Sequence, residues 1–193
     1  TKISNIDYSS KNGVIRRFCL SDLNLKSHRG SFLLNNFLKY VGSFKNLEKL
    51  TLKNSTLKDI GKHIKNLICL NKIDLQKNSI TNLSDDFCSL RRLRWINLDY
   101  NKLTSLNPNF GNLANLRYLS VRHNKLDNLP NSFVKLKQLK HLDLYCNQFE
   151  QFPKELEVQD NLTHLNFGLN KLHTIPSWIN QLKKLRTLGL GAN

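Results

Sequence analysis

His141, Asp143 and His164 are the side chains best equipped for chemistry in this 193-residue chain. Two imidazoles and a carboxylate can ligate a divalent metal. Ser120 stands 23 residues before Asp143, so a nucleophile, base and orienter can also be drawn from Ser120, His141 and Asp143. Both readings need a shaped site. Acyl transfer requires donors aimed at a developing oxyanion and a wall against water, and a flat sheet face provides neither. The four cysteines, Cys19, Cys69, Cys88 and Cys146, show no zinc-ligand spacing. No phosphate-cradling G-x-x-x-x-G-K loop occurs. The chain reads as non-catalytic, with neither metal nor cofactor.

The 23-residue spacing is the stronger signal. The frame L-x-x-L-x-L begins at Leu47 and recurs at Leu70, Leu93, Leu116, Leu139, Leu162 and Leu185, every step being 23 residues. Ile, Val and Phe are its only apolar replacements. A further copy begins at Ile15, with Phe18 and Leu20, 32 residues before Leu47. Alternation of Leu predicts one short strand per unit. The remaining residues must return along the outer side as a short helix or 3-10 turn. A single unit cannot bury its own leucine face, so the units must stack. Asn follows each strand at Asn78, Asn101, Asn124, Asn147, Asn170 and Asn193. Its amide offers donors and an acceptor to backbone groups left unpaired by the turn, and stacked copies predict a ladder. Leu23 and Ser55 interrupt that column, so the ladder should be poor near the N-terminus.

The second half of each unit adds an apolar position (Ile80, Leu103, Leu126, Phe149, Leu172). Three units then carry Leu129-Pro130, Phe152-Pro153 and Ile175-Pro176, followed by Phe133, Leu156 and Ile179. From about Ile15 to Asn193 the chain resembles the leucine-rich repeat family in its 23-residue L-x-x-L-P-x-x-F/I form. The resemblance implies a right-handed α/β solenoid, with a parallel sheet on the concave face and short helices or 3-10 turns on the convex face. It also implies a module that binds a protein partner. This form occurs in Ras-pathway scaffold proteins of animal cells and in secreted effector proteins of bacterial pathogens. The implied setting is cytoplasmic, the host-cell cytosol for an effector. A second reading makes the chain the recognition part of a larger enzyme, such as a ubiquitin ligase or phosphatase. It is motivated by the stop at Asn193, directly after a strand and without a capping segment.

Residues 1–46 read as an N-terminal cap with an irregular first repeat, and residues 47–193 as the regular repeats, the last incomplete. Lys11-Asn12-Gly13 separates two extended segments and predicts a hairpin through a type I′ turn. Ser31 precedes Phe32, Leu33, Leu34, Phe37, Leu38, Val41 and Phe44, which fit one face of a helix with Ser31 near its N-cap. Gln159 stands where the other units have Leu, and Val158 is expected to rotate into the gap.

If two Leu of each strand point inward, the intervening residues line the concave face. The first outward column runs Arg17, Lys49, Lys72, Trp95, Tyr118, His141, His164, Thr187. The columns after the strand bring Asp99, Arg122 and Tyr145, then Tyr100, His123 and Cys146. Neighbouring strands lie about 4.8 Å apart, so Trp95, Tyr118 and His141 must be stacked neighbours. Exposed aromatics with Arg have the composition of interface hot spots. The candidate partner-binding set is Trp95, Tyr100, Tyr118, Arg122, His123, His141, Tyr145 and His164, with Lys49 and Lys72 steering the approach.

Thirty Lys and Arg against 14 Asp and Glu give a formal charge of +16. That balance favours an acidic protein partner, with weak salt-sensitive binding of nucleic acid or anionic lipid. Many of the cations, among them Arg91, Arg92, Lys137, Lys183 and Lys184, read as solvated outer faces. No run approaches the ~20 apolar residues of a membrane span. The first residues show no signal-peptide core. Scattered cysteines without caps read as reduced thiols in an intracellular chain. A monomer is expected.

Overall fold

The computed structural model describes residues 6–21 and 39–193. Nine strands form one sheet in chain order: β1 (Ile6–Lys11), β2 (Val14–Ser21), β3 (Lys49–Lys53), β4 (Lys72–Asp74), β5 (Trp95–Asn97), β6 (Tyr118–Ser120), β7 (His141–Asp143), β8 (His164–Asn166) and β9 (Thr187–Gly189). The first two pair antiparallel across Asn12-Gly13, whose φ values of 54° and 73° are those a type I′ turn requires. Every later pair is parallel. Lys49, Lys72, Trp95, Tyr118, His141, His164 and Thr187 stand directly opposite one another, so the sequence period is also the strand register.

From β3 onward the returning segments are a short helix, α1 (Asp85–Cys88), and 3-10 turns at Lys62–Asn66, Phe110–Asn112, Asn131–Lys135, Lys154–Leu156 and Ser177–Gln181. Ser84 caps α1, its hydroxyl accepting the Phe87 N–H at 3.3 Å. Between sheet and turns lies a core of frame leucines and one large residue per turn. Phe87, Phe110 and Phe133 are fully buried, and the rings of the last two stack at 6.3 Å. Each such side chain contributes about 1.5–3 kcal/mol of burial, but only when a neighbouring unit covers it. Gly111 permits close stacking here, because a Cβ at that position would collide with the Ser132 carbonyl.

The asparagine ladder forms as the spacing predicts. Asn124 Oδ1 accepts the Leu103 N–H at 3.0 Å, and its Nδ2 donates to the carbonyls of Leu98 and Val121, both at 3.0 Å. Asn78, Asn101, Asn147 and Asn170 repeat the pattern. Ser55 breaks it: its hydroxyl reaches only the Lys53 carbonyl of its own strand. Leu23 and the expected helix start at Ser31 lie outside the described residues. Residues 39–41 are helical, Val41 is buried, and the rings of Phe18 and Phe44 lie 6.2 Å apart.

One expectation is corrected. Val158 does not turn inward; it is 40% exposed, and Gln159 fills the leucine position at 1% exposure. The amide is held there because its Nε2 donates to the Phe133 carbonyl at 3.0 Å. A hydrogen bond to the neighbouring unit substitutes for the missing apolar contact.

Candidate partner-binding face

The strands position two aromatic rows on the same face. Lys72 Nζ sits 3.8 Å from the Trp95 ring centroid. Trp95 stacks on Tyr118 at 5.0 Å and 10°, and Tyr118 on His141 at 4.5 Å and 12°. His164 continues the row, its ring 5.3 Å from His141 and tilted by 31°. Lys49 opposes Lys72 on the next strand. The second row follows the strand ends. Tyr100 stacks on His123 at 4.2 Å, His123 meets Tyr145 edge-on at 5.5 Å, and the Arg122 guanidinium lies 4.8 Å from the Tyr145 ring. All ten candidate residues therefore fall on one face, eight of them in these two rows, with Arg122 on Tyr145 and Lys49 beside Lys72.

A backbone feature that sequence reasoning missed orients the second row. Lys77, Tyr100, His123, Cys146, Leu169 and Ala192 all have positive φ, between 51° and 59°. This left-handed step turns the chain out of each strand immediately before the ladder Asn. No glycine marks the column, so residue type carried no signal. Only the fixed position in the repeat could have revealed it.

Between the rows runs a polar floor. Asp74, Asp143 and Ser120 are 6%, 8% and 1% exposed, so these outward positions are covered by their neighbours. Asp143 Oδ1 accepts the Tyr145 N–H at 3.0 Å, and its Oδ2 lies 3.8 Å from Arg122 Nε. Asp74 pairs with Lys53 at 2.9 Å. Asp99, from the next column, accepts from Ser120 and has no ion pair among the described residues. Burial pushes the Asp99 carboxyl up, against the pull of its Ser120 and Arg122 hydrogen bonds. Burial also raises Tyr118, with the Asp99 charge adding to it. His141 is pushed down by burial and by His164, and Asp143 opposes the shift. A small hollow of about 180 Å³ opens beside His141 and His164 over Gly189. A larger groove, about 900 Å³, lies between Leu106, Leu129 and Phe152 and is lined by none of the residues of the two rows.

The two rows form an extended surface that runs from β4 to β8. Among the described residues no three His, Cys, Asp or Glu side chains converge as a metal site. Among them, no helix is long and apolar enough to cross a membrane. Cys19, Cys69, Cys88 and Cys146 are free thiols, and burial pushes Cys88 up to about 12.

A leucine-rich-repeat family profile matches residues 45–103 and 91–149, together more than half of the chain. The chain belongs to the leucine-rich repeat family. Members of known structure share the fold. A leucine-rich-repeat protein of Leptospira interrogans superposes with a TM-score of 0.61 at 27% identity, covering 91% of this chain and 54% of that one. The plant peptide hormone receptor RGFR1, solved in complex with RGF2, gives 0.69 at 28% identity over 79% of this chain and 25% of the receptor. Internalin C2 of Listeria monocytogenes gives 0.63 at 22% identity over 91% of this chain and 80% of its own. The repeat chain thus spans about half the length of the first of these and a quarter of the second. A search of curated proteins finds no match.

Proposed function

We propose that this leucine-rich-repeat chain is a protein-interaction module whose partner seats on the two aromatic rows, with Trp95, Tyr118 and His141 at the centre. The observation that carries the reading is the unbroken stack from Lys72 to His164. Aromatic side chains held in place by their neighbours lose little further freedom on binding, which favours hot-spot behaviour. The receptor RGFR1, in complex with RGF2, is a precedent for a member of this fold binding another molecule.

The stack also limits the partner. Tyr118 has one ring face against Trp95 and the other against His141. Ring faces are thus occupied, and the partner meets ring edges and their N–H and O–H groups. Edges are the positive rim of the quadrupole. With Lys49, Lys72 and Arg122 beside them, they suit carbonyl and carboxylate acceptors, hence an acidic protein. They do not suit nucleobases, which bind by stacking on open ring faces. Within this reading, an intracellular scaffold or a bacterial effector is the setting.

The test is capture from cell lysate by the wild-type chain and by a Trp95→Ala/Tyr118→Ala variant matched in circular dichroism. The reading requires a partner retained in high salt and lost in the variant, a loss of about 1–2 kcal/mol or more. Binding that vanishes in salt and ignores the substitutions would refute it.

A further inference from the structure

Beside the aromatic row, one residue earlier in each of the last five units, runs a second column: Arg94, Arg117, Lys140, Thr163 and Arg186. Its members are bonded rung to rung. The Arg117 N–H donates to the Arg94 carbonyl at 2.9 Å, Lys140 to Arg117 at 2.9 Å, Thr163 to Lys140 at 2.8 Å, and Arg186 to Thr163 at 2.9 Å. The four cations of the column are exposed. The loop preceding each strand adds Arg91, Arg92, Lys137, Lys183 and Lys184, also exposed. Asn side chains tie this loop row together: Asn115 Nδ2 donates to the Arg91 carbonyl and Asn161 Nδ2 to that of Lys137, both at 2.8 Å, while Lys184 Nζ donates to Asn161 Oδ1 at 2.6 Å.

The five loop cations, read from sequence as solvated outer faces, lie with the four of the column along one edge of the sheet. Between Arg91 and Arg186, Asp160 is the sole carboxylate in the two rows, so nine cations leave a balance of +8 out of the formal +16, while further back the column runs through Asn71 to Glu48, which pairs with Arg16. The four ion pairs among the described residues involve none of the nine. Four rung steps of about 4.8 Å place that charge within about 19 Å. Unpaired like charges at this density repel one another, and a polyanion lying along them relieves the repulsion.

We infer that this edge is an anion-binding track, and that its occupant is an acidic segment of the same protein partner that seats on the aromatic rows. Adjacency argues for one partner. Arg94 precedes Trp95, Arg117 precedes Tyr118 and Lys140 precedes His141, so a molecule covering the rings must lay its flank over the cations. Guanidinium forks take carboxylates in bidentate fashion, which adds geometry to the attraction. The inference rests on the strand-face reading for the identity of the partner, but the track itself can be tested apart from it.

The test is fluorescence anisotropy with a labelled oligoglutamate peptide at low salt. One variant carries Arg94→Ser, Arg117→Ser, Lys140→Ser and Arg186→Ser. A second carries Lys58→Ser, Lys102→Ser, Lys125→Ser and Lys171→Ser, which removes the same charge from exposed positions at the far edge. The track predicts at least about tenfold weaker binding for the first and less than about threefold for the second. Equal weakening by the two quadruple variants, or no peptide binding by the wild-type chain, would overturn it. So would an oligodeoxythymidylate of matched charge that binds more tightly than the peptide and depends on the same four residues. If the track behaves as stated while partner capture ignores Trp95 and Tyr118, the strand-face reading fails alone.

Discussion

Ser120 Oγ donates to Asp99 Oδ1 at 2.5 Å, and the same carboxylate oxygen accepts the Arg122 N–H at 2.9 Å. On the other central rungs the corresponding N–H is taken by the residue two positions earlier: Asn97 serves Asp99, Asp143 serves Tyr145 and Asn166 serves Gly168. Serine donates its hydroxyl to Asp99 instead, so the carboxylate of the neighbouring rung supplies the acceptor. Ser120→Ala removes one donor from a buried carboxylate and should lower stability by about 1.5–3 kcal/mol, read as a shift in urea midpoint.

Asp99 itself gives a pH prediction. Burial raises its carboxyl above the ordinary value near 3.8. The unfolded chain therefore releases that proton at lower pH than the folded one, and stability is lost as pH rises through the raised value. Asp99→Asn keeps the acceptor oxygen and removes the charge. The variant should gain on the wild type as pH rises from about 4 towards 7, and the difference should be smallest below the unfolded carboxylate range of about 3.9. Urea midpoints across that window check the sign.

His141 should titrate in the opposite sense. Burial, reinforced by His164 and opposed by Asp143, holds its imidazole below 6.5. The unfolded chain takes up the proton first as pH falls, so stability should decline from about 6.5 downward. The imidazole resonance of His141 should show a midpoint below 6.5, and His164→Gln should move it upward.

The ladder is expected to matter more than any exposed contact. Asn124→Ala orphans the buried Leu103 N–H and takes one donor each from the Leu98 and Val121 carbonyls, which keep the amides of Asn101 and Asn147. The orphaned donor costs about 1–3 kcal/mol and each of the two lost hydrogen bonds about 0.5–1.5 kcal/mol, so a total of about 2–4 kcal/mol is expected. Lys102→Ala, at an exposed position, should stay within about 0.5 kcal/mol. Chemical denaturation separates the two.

The left-handed column makes a prediction of unusual sign. Leu169 is 40% exposed with φ at 52°. Relief of the left-handed penalty, about 1–2 kcal/mol, offsets the extra chain entropy of glycine, about 0.4–1 kcal/mol. Leu169→Gly should thus be neutral or stabilising, whereas the β-branched Leu169→Ile should destabilise. Thermal unfolding of the pair tests this.

How much of the molecule could be read beforehand depends on what a repeat constrains. The 23-residue period sets strand register outright, because parallel neighbours with a buried leucine face cannot slip. For that reason the stacking of Trp95, Tyr118 and His141 and the asparagine ladder were legible, while the Asn12-Gly13 turn was legible from its own residue types. Gln159 was not, since its place depends on one hydrogen bond to Phe133 that composition does not announce. Nor was the burial of Asp74, Asp99 and Asp143 among the outward positions. Their partners stand on flanking rungs, Lys53 for Asp74, Ser120 for Asp99 and Arg122 for Asp143, a property of neighbours rather than of the residue. The basic edge was hidden in plain view: its arginines sit in the same frame, one position before the column taken as the binding face.

The most direct measurement is amide hydrogen exchange on the chain with and without its captured partner. Binding on the aromatic rows predicts added protection at residues 95–100, 118–123 and 141–146, with the 3-10 turns at Lys62–Asn66 and Asn131–Lys135 unchanged. Protection confined to those turns, with the strands unaffected, would contradict the strand face as the binding surface.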